Sequence, residues 1–379
     1  MTTMAHPGAT RVTVGVDTHG DVHLAHAKDQ LGRRLDTVSV PTTPSGYRDL
    51  LAWARGLVGE LDAWGVEGTG AYGAALARFL HDCGQVVVAV NRPDRAARRR
   101  RGKSDPVDAE AAARTVQAGQ ATALPKAGTG QVEMLRSLRM ARASAMKART
   151  QAINAIKALL VTAPVDLREQ LRGLPAAQLV RCAAALEPGR LTSPTAAAML
   201  ALRTLACRYQ ALSAEITTLT TELKRLTATA AAPLVALFGV GSDSAGALLV
   251  AAGDNPGRLR SEATFSMLCG SSPIEASSGT TIRYRLNRGG DRQVNAALYR
   301  IVLVRLRYDP ATRAYMARRI TQGKSKWEVI RCLNATWPGG SSQPSARWSA
   351  CAAHVPEGSR HPLPPAQRDH GWRRGQCQW

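Results

Sequence analysis

The chain is short of acids: its 379 residues hold 28 Asp plus Glu against 50 Lys plus Arg, giving a formal net charge of +22 and a pI near 10.7. Clustered Lys and Arg release counterions when they neutralise phosphates, so this imbalance points to a polyanionic partner, nucleic acid first and an anionic membrane surface second. Long apolar runs are missing as well. No stretch of about 18 apolar residues occurs, which excludes a membrane-spanning helix, and the N-terminus carries no signal-peptide pattern. The expected setting is soluble and cytoplasmic, with no membrane partner. Paired cysteines are absent too. Cys83, Cys182, Cys207, Cys269, Cys332, Cys351 and Cys377 are scattered, odd in number and never spaced CxxC, which argues against a zinc ribbon or a disulfide framework. The length allows two or three domains, each with a core of its own.

From Arg11 to about Pro41 the pattern is of strands: VTVGVD, then DVHLAHA after a turn at His19 and Gly20, then RLDTVSV after Gly32. A helix-like stretch follows from Tyr47 to about Leu61, then a short strand AWGVE, a helix from about Tyr72 to Cys83, and the apolar strand from Val86 to Val90. A three-stranded meander followed by alternating strands and helices predicts a mixed sheet with helices on its faces, in the order of the ribonuclease H type of fold. In that fold Asp17, ending the first strand, and Glu67, ending the fourth, converge at one edge of the sheet. The run KSDPVDAE supplies two more acids. Pro106 suits the first position of a helix, Asp105 its N-cap, and Asp105 and Asp108, spaced i and i+3, face the same way. Alone, a strand-end Asp is usually a turn residue and a DxxD a helix cap. Together these four suit a divalent-metal site for phosphoryl transfer, where carboxylates hold ions roughly 3.5–4 Å apart.

The segment between Asn91 and Asp105 carries Arg98, Arg99, Arg100, Arg101 and Lys103, a phosphate-gripping loop beside the acids or, more plainly, a solvated run. A long helix is predicted over about 131–160, one face apolar and the other bearing Arg136, Arg139, Arg142, Lys147, Arg149 and Lys157 for phosphate. Between about Ala201 and Thr227, Leu202, Tyr209, Ile216 and Leu223 share one heptad position and Leu205, Leu212, Leu219 and Leu226 the other. Four heptads predict a coiled coil, read as a self-association or inter-domain stalk, with packing inside one subunit as the alternative. LFGVGSDSAGALL resembles the Gly-flanked turns of DNA-backbone binders, a weak signal alone. Further on, a small-residue loop with Ser277, Ser278 and Gly279 precedes Arg283, Arg285, Arg288 and Arg292. A hydroxyl beside several guanidinium groups is suited to attack a phosphodiester, although most Ser-Ser-Gly loops are turns.

In sum, VTVGVDTHG, GVEGTGAYG, NRP, KSDPVDAEAAAR, LFGVGSDSAGALL and CGSSPIEASSGTTIRYRLNRGGDRQVNAAL resemble insertion-sequence family one-ten, the DEDD transposases guided by a bridge RNA. The resemblance covers roughly residues 11 to 335. It implies an α/β plus α architecture: a RuvC-like N-terminal domain (10–165), a helical or coiled-coil connector (166–230) and a mainly helical C-terminal transposase domain with the serine loop (231–335). It places the family's four acids on Asp17, Glu67, Asp105 and Asp108, with Mg²⁺ as cofactor, and its nucleophile on Ser278, Ser277 being second choice. It implies donor and target DNA and a structured non-coding guide RNA as partners, and a dimer or tetramer in which the acids of one subunit meet the serine of another. The predicted activity is DNA cutting and rejoining through a serine–DNA link. After about Asn334 the sequence departs from the family. Residues 336–379 are rich in Trp and Pro without helical period, and read as a frameshifted or replaced, disordered ending, or else as a nucleic-acid tail. A catalytically impaired nucleic-acid-binding remnant and a RuvC-type junction nuclease are therefore the competing readings.

Overall fold

The computed structural model describes residues 10–90, 104–255, 262–281 and 284–335. The basic run Arg98, Arg99, Arg100, Arg101 and Lys103, Arg283, and the tail 336–379 lie outside them.

The N-terminal unit runs β1 (Arg11–Thr18), β2 (Val22–Asp29), β3 (Arg34–Pro41), α1 (Pro44–Arg55), β4 (Glu60–Glu67), α2 (Ala74–Asp82), β5 (Val87–Val90) and α3 (Asp105–Gln117). Its sheet has the order β3-β2-β1-β4-β5, antiparallel through the meander and parallel from β1 to β4 to β5. This is the mixed sheet the pattern predicts. Helix α1 starts earlier than the apolar spacing suggests, because Thr43 accepts a hydrogen bond from the Gly46 N–H at 3.1 Å and Pro44 sits in the first turn. It also ends earlier, so Glu60 and Leu61 belong to β4.

The period of two along each strand divides the sheet into two faces. Val12, Val14 and Val16 point to one, with Ala25, Ala27, Trp64 and Val66, and meet Tyr47, Leu50 and Leu51 of α1 and Leu76 and Leu80 of α2. Gly15 and Gly65, a register pair, lie on the other face, against α3. A Cβ on Gly15 would sit 2.1 Å from the Ala109 carbonyl oxygen and 2.3 Å from the Ala113 nitrogen; one on Gly65 would be 2.9 Å from the Ala112 carbonyl oxygen. Only glycine lets the helix backbone come so near, and the short buried Ala109, Ala112 and Ala113 complete the seat.

The remaining helices are α4 (Gln131–Thr162), α5 (Val165–Leu171), α6 (Ala176–Ala184), α7 (Pro194–Val235, with non-helical backbone at Ala231), α8 (Ser242–Ala252) and α9 (Glu262–Leu268). Strands β6 (Ile274–Glu275) and β7 (Tyr284–Arg285) then precede α10 (Arg292–Tyr308), α11 (Pro310–Thr321) and α12 (Lys326–Ala335). Helices α4 and α7 form an antiparallel hairpin. Arg142 donates to the Thr220 hydroxyl at 2.8 Å, Arg149 lies over the Tyr209 ring at 5.7 Å, and Val132 and Leu135 share a core with Leu223 and Leu226. Leu202 meets Ile156 and the α5–α6 corner at the far end. Of the heptad residues, Leu202, Ile216, Leu223 and Leu226 are buried within the chain, while Leu205, Tyr209, Leu212 and Leu219 stay half-buried, so packing inside one subunit accounts for part of the seam. The near end of the hairpin enters a core with Leu248, Leu298 and Ile301 of α8 and α10. The Asp254 carboxylate accepts from the Val132 N–H at 3.0 Å at the start of α4, and Asn255 bonds Pro125 and Ala127 at 2.8 Å each, joining the α3–α4 connection to this core.

Candidate functional site

Asp17 and Glu67 each stand two residues beyond the glycines that seat α3, in Gly15-Val16-Asp17 and Gly65-Val66-Glu67. The parallel register pairs Gly15 with Gly65 and Val16 with Val66, so one further step sets Asp17 beside Glu67 on the α3 face. The Thr18 hydroxyl donates to the Glu67 carbonyl at 3.0 Å and fixes the strand ends together. Helix α3 brings the other two acids. Its N-cap is Ser104, whose carbonyl accepts from the Val107 and Asp108 N–H groups. Asp105 is therefore the first helical residue rather than the cap, and its carboxylate is left for other partners. Asp17 is 6% exposed and Asp108 2%, whereas the Asp105 side chain is 52% exposed and Glu67 is half-buried.

Burial is the main reason the Asp17 carboxyl titrates above its ordinary value; the charges of Asp108 and Asp105 push the same way, and His19 opposes them. Asp105 and Asp108 hence both act on the Asp17 carboxyl across one small volume. His19, which the pattern makes a turn residue, is the addition sequence reasoning missed. Its Nε2 lies 3.1 Å from Asp17 Oδ2 and 3.4 Å from Asp105 Oδ1, and the three donor atoms lie within 4.8 Å of one another. Its position two residues past Asp17 in VDTHG was the available signal. Carboxylate oxygens with one imidazole nitrogen, crowded so that negative charge accumulates, form a donor set that suits a divalent cation. Beside it, Lys28 on β2 pairs with Glu110 of α3 at 3.0 Å and lends a second tie between helix and sheet.

The serine stands elsewhere. Ile274 pairs with Arg285 and Glu275 with Tyr284, and at the tip Ser278 and Thr281 exchange backbone hydrogen bonds of 3.1 Å each way. The loop between them is Gly279-Thr280. Gly279 has φ +59°, the left-handed sign that a tight two-residue hairpin turn needs at its first position. Ser277 and Ser278 are both exposed, as are Arg285 and Arg288. The structure thus gathers Asp17, Asp105 and Asp108, sets Glu67 beside them by register, and carries Ser278 on a separate hairpin.

The basic face predicted for α4 is largely occupied within the chain. Arg139 and Arg142 reach the Asp243 carboxylate at 2.9 and 3.4 Å, joined there by Arg300 at 3.2 Å; Arg136 pairs with Glu133, and Arg149 covers Tyr209. No helix among the described residues is long and apolar enough to cross a membrane.

Two family patterns match in the same order as these units. A DEDD transposase pattern of the IS110 type spans residues 14–163, and the transposase pattern of the IS116/IS110/IS902 family spans residues 231–317. A stretch of 98 residues is 33% identical to the insertion element IS110 uncharacterized 43.6 kDa protein of Streptomyces coelicolor, covering 26% of this chain and 24% of that protein. The matched stretch is thus about a quarter of that relative's length. With both patterns present in order around the sheet edge and the hairpin, the chain belongs to the IS110 family of transposases.

Proposed function

We propose that this protein is a DNA transposase that cuts and rejoins strands through a covalent link to Ser278. The observation that carries this reading is the gathering of buried Asp17 and Asp108 with Asp105 at the sheet edge beside Glu67, in a chain with a hydroxyl and guanidinium groups on an exposed hairpin. The four carboxylates hold divalent ions, Mg²⁺ by resemblance to the family, and a bound ion would neutralise phosphate charge. The Ser278 oxygen attacks a DNA phosphorus, forming a serine–phosphate bond and breaking the bond to the 3′ oxygen, which leaves as a 3′-hydroxyl. A 3′-hydroxyl from the other duplex then attacks the phosphoserine, forming the new strand and returning the Ser278 hydroxyl. Arg285 and Arg288, with Arg283, neutralise the phosphate during both steps, and the Arg98–Lys103 run grips backbone phosphate.

Donor and target DNA and a structured non-coding guide RNA are the partners in this reading. Residues 10–165 act as the metal-binding unit, 166–230 as connector and 231–335 as the serine-bearing unit. Family resemblance favours a homo-oligomer, dimer or tetramer, in which the hairpin carrying Ser278 on one subunit meets the acids of another. The gathering of the acids without the serine in their cluster also supports a second reading, metal-dependent hydrolysis by the acids alone.

Supplying the purified chain with the insertion-sequence ends, target DNA and flanking non-coding RNA separates the two. Joined products are expected, lost in both Ser278→Ala and Asp105→Asn. Cut, unjoined ends that persist in Ser278→Ala would establish the nuclease and sink the transposase.

A further inference from the structure

We propose that His19 is a ligand to the ion held by Asp17 and Asp105, and that its ring nitrogen makes this site take Mn²⁺ in preference to Mg²⁺. The proposal rests on the metal-binding reading of the acids. It adds a residue outside the four carboxylates and a choice of ion.

Geometry is the first support. An octahedral ion with bonds of about 2.1 Å sets neighbouring donors roughly 3 Å apart. His19 Nε2 stands 3.1 Å from Asp17 Oδ2 and 3.4 Å from Asp105 Oδ1, spacings that match adjacent corners of such a shell. Hydrogen bonding alone accounts for this arrangement less well. A ring nitrogen carries one hydrogen at most, so Nε2 cannot donate fully to two carboxylates at once. A cation between the three atoms satisfies all of them.

Placement is the second support. Asp17 is anchored at the end of a buried central strand and Asp105 at the first turn of α3, so the two oxygens are held by separate rigid elements. His19 follows β1 directly and closes the gap between them from the solvent side, its side chain 46% exposed. It can therefore adjust to an ion without disturbing the core. Chemistry supplies the third. Carboxylates alone suit Mg²⁺, but imidazole is a softer donor, and adding one shifts preference towards first-row transition ions, of which Mn²⁺ shares the octahedral habit of Mg²⁺.

The test uses the full chain, Mn²⁺ and pulsed electron paramagnetic resonance. Bound Mn²⁺ should show coupling to a ¹⁴N nucleus, and Mg²⁺ should compete for it only at higher concentration. In His19→Gln the coupling should vanish and Mn²⁺ affinity should fall at least about tenfold, with a smaller loss for Mg²⁺ and an unchanged circular dichroism spectrum. Mn²⁺ bound without nitrogen coupling, or coupling that survives in His19→Gln, overturns the role of His19 and leaves the carboxylate site standing. Mn²⁺ that fails to bind the wild-type chain, or that binds equally well to Asp17→Asn, overturns the carboxylate reading as well.

Discussion

The sheet edge and the serine hairpin are built to opposite standards. Asp17 and Asp108 are buried, and their backbones belong to a central strand and to a helix docked on that sheet through two glycines. Ser278 is exposed, at the tip of a hairpin whose flanking strands are two residues each and whose turn depends on one glycine. A group that must hold ions gains from a rigid seat, because each donor has to stay within a few tenths of an ångström. A nucleophile that links to DNA and then releases it gains from reach. The fold accordingly concentrates its packing on Asp17 and Asp108 and leaves Ser278 exposed, as their proposed roles require.

That contrast can be broken by substitution. The largest effect is expected from Gly15→Ala, whose new methyl would meet the backbone of α3 and force the helix off the sheet. A loss of about 3 kcal/mol in denaturant stability is expected, with Asp105 and Asp108 displaced and divalent-ion binding lost in calorimetry. Asp17→Asn should move stability the other way. Burial and neighbouring acids raise the Asp17 carboxyl above its unfolded value, so at neutral pH the folded chain carries a charge it disfavours, a cost relieved only as pH falls through the raised value. The neutral amide removes that cost, and melting should rise by roughly 2–4 °C while ion binding disappears.

A smaller effect is expected at His23, buried at the start of β2 and stacked on Tyr47 at 5.7 Å. Burial lowers its folded titration below the ordinary 6.5, so the unfolded chain takes the proton first as pH drops. Stability is complete above about pH 6.5 and declines below it. His23→Phe keeps the stacked ring and should flatten the fall in melting temperature between pH 7 and 5, with the residual slope belonging to His26, whose titration burial lowers likewise. The smallest effect on global stability is expected from Gly279→Ala. Among the described residues nothing lies within 4 Å of the added methyl, and the left-handed backbone costs about 1–2 kcal/mol locally. The melting curve should stay put while strand joining slows, a split that Gly15→Ala does not produce.

Much of the sheet edge was legible in the sequence. Alternating valines in β1, the GVD and GVE endings and the DxxD start of α3 are local signals, and the parallel pairing that unites them is the ordinary outcome of strand–helix alternation. The cap at Ser104 was harder to see, since Ser104 and Asp105 are both good caps and only tertiary packing decides which serves. The heptads of α7 announce a seam but not its occupant; α4, whose apolar positions run Leu135, Ile153, Ile156, covers its two ends from within. His19 escaped because a polar residue before glycine reads as a turn, and its neighbour Asp105 lies far along the chain. The hairpin was illegible for a different reason: strands of two residues carry no period.

The central claim is that the serine at the hairpin tip carries the DNA strand while the acids serve as its metal seat. Trapping the protein on labelled insertion-sequence ends, digesting it and locating the phosphodeoxyribonucleotide adduct by mass spectrometry tests this most directly. The adduct should map to Ser278, form with divalent ions present and vanish with Asp108→Asn; an adduct on Ser277 or another residue, or strand joining with no protein-linked DNA, would contradict it.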